Sequence, residues 1–165
     1  MPDRIADAPR LEDVLRVLEG RFSEAVAGHD FAKGELTVRV RTERLADVLR
    51  FLKAEQGFAA LQDMIGLDRG PETAAGSKRF AVLYQVYRPA DRVRLRISVD
   101  ADEAEGLPSA VAVWKSADWA EREIFDMFGL RFAGHPGLRR IYLDEAFDGH
   151  PLRKDFPLQG RSGGL

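Results

Sequence analysis

The stretch FAVLYQVYRPADRVRLRISV, residues 80–99, decides the fold class. Residues 80–87 are rich in β-branched and aromatic side chains, and residues 89–91, Pro-Ala-Asp, are typical of a turn. Over residues 93–99, apolar side chains at every second position alternate with polar ones, which predicts a strand buried on one face. The stretch therefore predicts an antiparallel β-hairpin.

The polar positions in and just before the second strand of this hairpin carry three arginines, Arg92, Arg94 and Arg96. A sheet face exposed to solvent explains such a row, and so does a surface turned towards a partner protein, since arginine is favoured at interfaces. The residues alone leave both interpretations open.

Helices and strands alternate before the hairpin, according to the periodicity of the apolar residues and the positions of glycine. In chain order we predict an amphipathic helix from Leu11 that ends near Gly28, a half-buried strand over residues 36–40, a helix over residues 45–52 that stops near Gly57, a strand over residues 58–65, and a loop over residues 66–78.

Two elements are predicted after the hairpin. Residues 111–113, Val-Ala-Val, suggest a short strand, and residues 118–128 have the spacing of an amphipathic helix. Gly129 follows this helix directly, where a residue in the left-handed conformation is favoured.

The start of the last helix contains a candidate capping box. Asp118 is the expected N-cap and Glu121 its reciprocal partner, while Ser116 is the competing N-cap. Arg122 lies four residues from both Asp118 and Asp126, a spacing that allows ion pairs on the helix surface.

The order of elements predicts the α+β class: one domain over residues 1–133, with a mixed or antiparallel sheet and helices packed on it. Residues 134–165 lack any sustained periodicity, yet they contain many large apolar side chains, which a flexible tail would lack. We therefore predict an extended C-terminal arm that buries these side chains against its own domain or against another protein.

Composition excludes several classes of function. The chain has 25 basic and 27 acidic residues and a net charge of -2, so it has no global basic field to hold nucleic acid. No apolar run approaches the length of a membrane span and no signal pattern opens the chain, so we expect contact with a membrane only through partners. Without cysteine, the chain cannot use thiolates to hold an iron–sulfur cluster.

Two of the three histidines, His135 and His150, each stand in a repeated Gly-His-Pro motif of the arm. One interpretation is a zinc site or a small histidine-dependent metalloenzyme, with Asp144, Asp148 or Asp155 as further ligands, although the chain has no HExxH motif. The other interpretation is structural: each histidine bonds backbone at a turn fixed by proline, and each neighbouring basic pair reaches carboxylates. General acid–base chemistry by one histidine stays open as well.

Residues 119–158, WAEREIFDMFGLRFAGHPGLRRIYLDEAFDGHPLRKDFPL, resemble the thirty-kilodalton subunit family of respiratory complex I, known as the C subunit in bacterial NADH:quinone oxidoreductase. DMIGLD at residues 63–68 and RFAVLYQVY at residues 79–87 are also similar to this family. The chain departs from it at Gly137, where relatives usually carry an acidic residue.

The resemblance implies a non-catalytic subunit of the peripheral, hydrophilic part of a proton-translocating complex, on the cytoplasmic side of the plasma membrane. It implies no flavin, iron–sulfur cluster or metal in this chain, with the flavin and the clusters held by partner subunits. The chief partner would be the catalytic subunit that shapes the quinone site. An equivalent subunit of a membrane-bound hydrogenase or another quinone-type oxidoreductase is the alternative.

The resemblance assigns no catalytic, cofactor or metal residue, and it assigns partner docking to one set of positions in the motif. They are Glu121, Arg122, Glu123, Asp126, Phe128, Gly129, Gly134, His135, Pro136, Leu138, Arg139, Arg140, Phe147, Gly149, His150, Pro151, Leu152, Arg153, Lys154, Asp155, Phe156 and Pro157.

Overall fold

The computed structural model describes residues 8–74, 77–157 and 159. The helices are α1 (Ala8–Arg21), α2 (Leu45–Ala54, preceded by a 3₁₀ turn at Thr42–Arg44) and α3 (Ala117–Phe128). The strands are β1 (Val26–Ala32), β2 (Glu35–Val40), β3 (Ala60–Asp68), β4 (Phe80–Arg88), β5 (Val93–Ala101), β6 (Leu107–Pro108) and β7 (Phe132–Ala133).

Five strands form one mixed sheet in the order β1-β2-β5-β4-β3. The predicted hairpin is its centre, with β4 and β5 antiparallel and Tyr84 opposite Ile97. Strand β2 pairs with β5 in parallel, whereas β1 with β2 and β3 with β4 are antiparallel. The α+β class and the mixed sheet with helices are confirmed.

Helices cover one face of this sheet. The alternating residues Val93, Leu95, Ile97 and Val99 of β5 are buried, as their spacing predicts, and they join a core cluster with apolar residues of all three helices. Helix α3 lies on β3 so closely that a Cβ added at Gly66 would come within 2.7 Å of the Phe128 ring. This close approach fixes the position of α3, which holds the C-terminal arm.

Some predicted elements differ from the structure. Helix α1 ends at Arg21, and Gly28 lies inside β1, a strand that is mostly exposed and lacks the alternation that would predict it. Residues 111–113 form a turn closed by a bond from the Val113 amide to the Ala110 carbonyl, not a strand. Strand β3 runs to Asp68, so the loop before the hairpin starts at residue 69.

The end of α3 agrees with prediction, but its start does not. Gly129 adopts the left-handed conformation with φ of 78°. The capping box does not form, because the Glu121 side chain is buried and accepts bonds from the Ser109 hydroxyl (2.7 Å) and the Ala110 amide (2.6 Å). Burial raises the pKa of Glu121.

The described part of the predicted arm comprises residues 134–157 and 159, which contain no helix or strand. Residues 158 and 160–165 of that arm, and residues 1–7 of the predicted domain, lie outside the described residues. Among the described residues, no helix combines the length and the apolar character needed to cross a membrane.

Candidate functional site

The C-terminal arm follows α3 from its start to its end. His135 lies beside Asp118 at the first turn, and Arg122 in the middle donates to the carbonyl of Arg139. Near the end of the helix, Arg140 bonds Asp126. The contacts advance in the same order along both segments, so the arm lies along the helix.

Asp126 is the main attachment point. Its side chain is 0% exposed, and Oδ2 accepts hydrogen bonds from three successive amides, those of Ile141 (3.0 Å), Tyr142 (2.8 Å) and Leu143 (3.1 Å). Oδ1 accepts a bond of 2.8 Å from Arg140. Burial acts to raise the pKa of Asp126, but these donors outweigh it and hold the pKa below its usual value.

Arg140 closes a loop of the arm on itself. Beyond its ion pair with Asp126, Nη2 donates to the carbonyls of Phe147 (3.2 Å) and Gly149 (3.1 Å). Nη1 also donates to the carbonyl of Asp126 (3.5 Å), so the guanidinium binds one carboxylate and three backbone oxygens. Arg122 forms neither of the ion pairs predicted with Asp118 and Asp126. Asp126 faces the arm instead, and Arg122 donates to the carbonyl of Arg139.

Both histidines bond backbone. Nδ1 of His135 accepts from the amide of Gly137 (2.9 Å), so its Nε2 carries the hydrogen and points at the carbonyl of Asp118 (3.2 Å). Nδ1 of His150 lies 2.9 Å from the carbonyl of Asp126, which can only accept, so here Nδ1 carries the hydrogen. Burial lowers the pKa of His150, with Arg153 and Arg140 nearby acting in the same direction.

A second attachment joins the end of the arm to the sheet. Asp68 accepts from Arg79 (2.7 and 2.8 Å) and from the amide of Lys154 (2.8 Å). The same Arg79 binds Asp155 at 2.6 Å. The bond from Arg79 is the largest cause that holds the pKa of Asp68 well below its usual range, against the effect of burial.

Arg153 ties the arm to the end of α3. Its Nε donates to the carbonyl of Phe128 at 2.7 Å, and its Nη2 lies 2.9 Å from Glu103. A Cβ added at Gly129 would lie 2.3 Å from Arg153 and 2.6 Å from His150. Glycine is therefore required at position 129 both for its left-handed backbone and for the close approach of the arm.

Several large apolar side chains of the arm are exposed, in contrast to its bonded polar groups. Tyr142 is 66% exposed, Leu152 55% and Phe147 38%. The ring of Phe147 stacks against that of Phe156, with 6.1 Å between the centroids. Leu138 packs against the core. The arm is thus fixed to its own domain by polar groups while several of its largest apolar groups face outwards.

The residues assigned to docking fall into three groups by exposure. Glu121, Asp126, Phe128 and Gly129 are buried within the chain, which gives them a role in the fold; Arg122, His135, Leu138, Arg140, Gly149, His150, Pro151, Arg153 and Phe156 are half-buried; Glu123, Gly134, Pro136, Arg139, Phe147, Leu152, Lys154, Asp155 and Pro157 are exposed. In the docking prediction, the first group would act by shaping the fold, since it is buried in the single chain.

Sequence reasoning missed Asp68 and Arg79 as attachment points, and it left Trp119 and Tyr142 out of the assigned set. Neither aromatic has a local sequence signal, since Trp119 stands between Asp118 and Ala120, and Tyr142 stands between Ile141 and Leu143. Asp68 and Arg79 have none either, because their partners in the arm, Lys154 and Asp155, are distant in the chain. Among the described residues, no group of three or more His, Asp or Glu side chains lies close enough to hold a metal ion.

Comparison with known proteins decides the family. Residues 38–162 match the family model described as "Respiratory-chain NADH dehydrogenase, 30 Kd subunit". The chain belongs to this family. It is 42% identical over 156 residues to the C subunit of the NADH-quinone oxidoreductase of Hyphomonas neptunium, an alignment that covers 93% of this chain and 75% of the relative. To the Brucella ovis protein of the same name it is 45% identical over 155 residues, covering 90% and 75% respectively.

Two solved structures share the fold. One is Nqo5, as a trypsin-resistant fragment (1-134), with a TM-score of 0.66 and 32% identity, covering 76% of this chain and 98% of the fragment. The other belongs to the membrane-bound sulfane sulfur reductase, an archaeal respiratory membrane complex, with a TM-score of 0.73. At 19% identity over 90% of this chain and 86% of the other, it shows a shared fold alone.

Proposed function

We propose that this chain is a non-catalytic subunit of the peripheral part of a proton-translocating NADH:quinone oxidoreductase, on the cytoplasmic side of the plasma membrane. Its C-terminal arm docks on the catalytic subunit that shapes the quinone site, and so stabilises the assembly. The observation that carries this proposal is the outward exposure of Tyr142 and Leu152 on a backbone that Asp126 holds in place.

Physical chemistry favours docking through such an arm. Large apolar side chains gain free energy when a partner covers them, and aromatic residues often dominate the affinity of an interface. The cost of ordering a segment on binding is small when its backbone is already fixed. Here the bonds of Asp126, Arg140 and Arg153 fix it within the chain itself.

These internal bonds divide the roles among the basic residues of the arm. Arg140 and Arg153 already have carboxylate and carbonyl partners in this chain, so in this proposal they maintain the shape of the arm. Within the described residues of the arm, Arg139 is the exposed arginine, so in this proposal it is directed towards the partner. Redox chemistry belongs to partner subunits, which hold the flavin and the iron–sulfur clusters, as the family resemblance implies.

A histidine-dependent metalloenzyme is the competing class of function. The bonds of His135 favour the structural role, because both of its ring nitrogens are used, Nδ1 by the amide of Gly137 and Nε2 by the carbonyl of Asp118. A metal site also needs several ligands together, and among the described residues no group of three or more His, Asp or Glu side chains could hold an ion. Elemental analysis of the purified chain separates the two: we expect no stoichiometric metal. A metal ion bound at one per chain and lost in the double variant His135→Gln, His150→Gln would support the enzyme instead.

Among host complexes, NADH:quinone oxidoreductase is favoured over an equivalent hydrogenase-type or sulfur-reducing complex. The relatives at 42% and 45% identity carry the name of its C subunit, whereas the archaeal complex shares 19%. NADH:quinone activity of membranes from a strain that lacks this chain is the test. Full NADH:quinone activity in that strain would contradict the proposal that this chain is a subunit of that complex.

The docking role is tested by Tyr142→Ala and Leu152→Ala, with Val17→Ala on α1 as the matched control because Val17 is also exposed (41%). We expect both arm variants to lower the yield of intact complex on native gels and the NADH:quinone activity at least tenfold. The isolated chains should keep their melting temperatures within about 2 °C, since exposed substitutions usually change stability by under about 0.5 kcal/mol. Normal assembly of the double variant Tyr142→Ala, Leu152→Ala would contradict docking through the arm.

A further inference from the structure

Trp119 is an exposed tryptophan outside the buried core cluster. Its side chain lies on the first turn of α3 and is 64% exposed. The other tryptophan, Trp114, is 3% exposed and donates from its ring nitrogen to the carbonyl of Phe58. Trp114 is thus a core residue, whereas Trp119 leaves a large apolar ring in contact with solvent.

The ring of Trp119 is nevertheless held in a defined setting. The guanidinium of Arg122 lies 4.7 Å from the ring centroid, within the range of a cation–π interaction. Nε of Arg122 also donates to the carbonyl of Arg139, at 3.3 Å. The ring, the guanidinium and the backbone of the arm therefore form one connected surface.

Among the described residues, the two guanidinium groups of this surface have no ion-pair partner, unlike those of Arg140 and Arg153 at the attachment points. Arg140 pairs with Asp126, and Arg153 lies 2.9 Å from Glu103. Within residues 8–74, 77–157 and 159, neither Arg122 nor Arg139 pairs with a carboxylate. An exposed tryptophan that contacts one such arginine, with a second on the adjoining backbone of the arm, has the composition of an interface centre, where Trp, Tyr and Arg are enriched.

We propose that Trp119, Arg122 and Arg139, here called the Trp119 surface, bind a neighbouring subunit that presents an apolar cleft edged by Asp or Glu side chains. The cleft takes the indole ring, and the carboxylates pair with the two guanidinium groups. The inference rests on the proposed function, because it requires the chain to be part of a complex. It adds a contact on α3 itself, adjoining the arm through Arg139.

Cross-linking identifies the occupant. The photo-reactive p-benzoylphenylalanine is placed at position 119 in cells, with Phe31 as the matched site because it is an aromatic residue 45% exposed on β1, away from α3. We expect irradiation of the purified complex to join position 119 to a peptide of another subunit of the NADH:quinone oxidoreductase that contains Asp or Glu. Cross-links from position 119 confined to this same chain, to a second copy of it or to lipid would overturn the proposal.

Substitution tests the chemistry. Truncation of a central aromatic contact weakens binding on the order of thirtyfold, so Trp119→Ala should lower the yield of intact complex at least tenfold. The double variant Arg122→Glu, Arg139→Glu should do the same, and Asp→Lys or Glu→Lys in the cross-linked peptide should restore assembly. Failure of that restoration, with the isolated chain folded, would overturn the predicted charge pairing.

The outcomes separate this surface from the arm. If Tyr142→Ala impairs assembly and Trp119→Ala does not, the Trp119 surface is wrong and docking through the arm stands. If Trp119→Ala, Tyr142→Ala and Leu152→Ala all leave assembly normal, both proposals fail. An unchanged melting temperature of the isolated Trp119→Ala chain would show that a loss of assembly does not arise from misfolding.

Discussion

Asp126→Asn should release the arm from α3 while leaving the sheet and helices folded. The carboxylate faces three amides with Oδ2 and Arg140 with Oδ1. An asparagine has one oxygen and one NH₂ group, so in either orientation it directs a donor at a donor. If its oxygen faces the amides, the NH₂ opposes the guanidinium; if it is flipped, the NH₂ opposes the three amides.

The structure gives the size of the effect. The Asp126 side chain is 0% exposed and that of Arg140 13%, so the substitution leaves a largely buried cation without its anion. Removing one partner of a buried pair costs about 3–5 kcal/mol. The cost falls on the arm rather than on the core, because the described members of the buried core cluster end at Phe132.

Hydrogen exchange measured by NMR on the isolated chain is the assay. The amides of Ile141, Tyr142 and Leu143, which bond Asp126, should exchange faster by about two to three and a half powers of ten, the equivalent of that energy. Amides of β4 and β5 should keep their protection. Asp144→Asn, an exposed change in the same arm, is the control and should leave all rates unchanged.

Two results would refute this reasoning. Unchanged exchange at residues 141–143 would show that other contacts hold the arm. Equal acceleration in β4 and β5 would show that the arm unfolds together with the domain, so that it belongs to the cooperative core.

Three further predictions concern the helix, acid stability and a histidine. Ile124→Asp should destabilise the isolated chain by several kcal/mol, because Ile124 is 2% exposed and would bury an unpaired carboxylate; an unchanged melting temperature would mean that α3 faces another way. Because Arg79 holds the pKa of Asp68 below its unfolded value of about 3.9, Asp68 contributes stability above that pH, which is lost as the pH falls towards the lower folded pKa. The melting temperature of the wild type should therefore fall steeply with pH below about pH 4, and that of Asp68→Asn should fall less steeply there. An equal pH dependence of the two melting temperatures would show that the pair contributes nothing. His135→Gln should leave NADH:quinone activity close to normal, because an amide can replace its bonds to Gly137 and Asp118; lost turnover in a fully assembled complex would require a catalytic histidine.

Local patterns predicted the centre of the fold. The alternation in residues 93–99 marks the buried face of β5, and Gly129 marks the end of α3, because both signals come from residues close together in the chain. Strand β1 gave no such signal, since its burial is slight and pairing with β2 supports it. The edge position of β1 therefore explains why the predicted first helix is longer than α1.

Side-chain partners were harder to predict than elements. Asp118–Glu121 has the spacing of a capping box, yet Glu121 turns into the interior to bond Ser109 and Ala110. Asp126 lies four residues from Arg122, yet it binds amides about fifteen residues further along the chain. Such long-range partners outcompete local spacing, and no periodicity encodes them.

The same limit applies to the candidate site. The missing periodicity after residue 133 agrees with the described residues 134–157 and 159, which contain no helix or strand. Of the interpretations that the Gly-His-Pro doublet allowed, the bonds of both histidines to backbone favour the structural one. Which apolar side chains remain outside depends on how Asp126 and Asp68 hold the backbone. The exposure of Tyr142 and Leu152 was therefore beyond the reach of sequence patterns.

Hydroxyl-radical footprinting of the isolated chain and of the intact complex tests the central claim most directly. If the arm docks on a partner, Tyr142 and Leu152, exposed by 66% and 55% in the chain alone, should be modified several-fold less in the complex. Phe31 on β1 serves as the internal reference. Modification of Tyr142 and Leu152 at the same rate in both samples, relative to Phe31, would contradict docking, because the arm would then be as exposed within the complex as outside it.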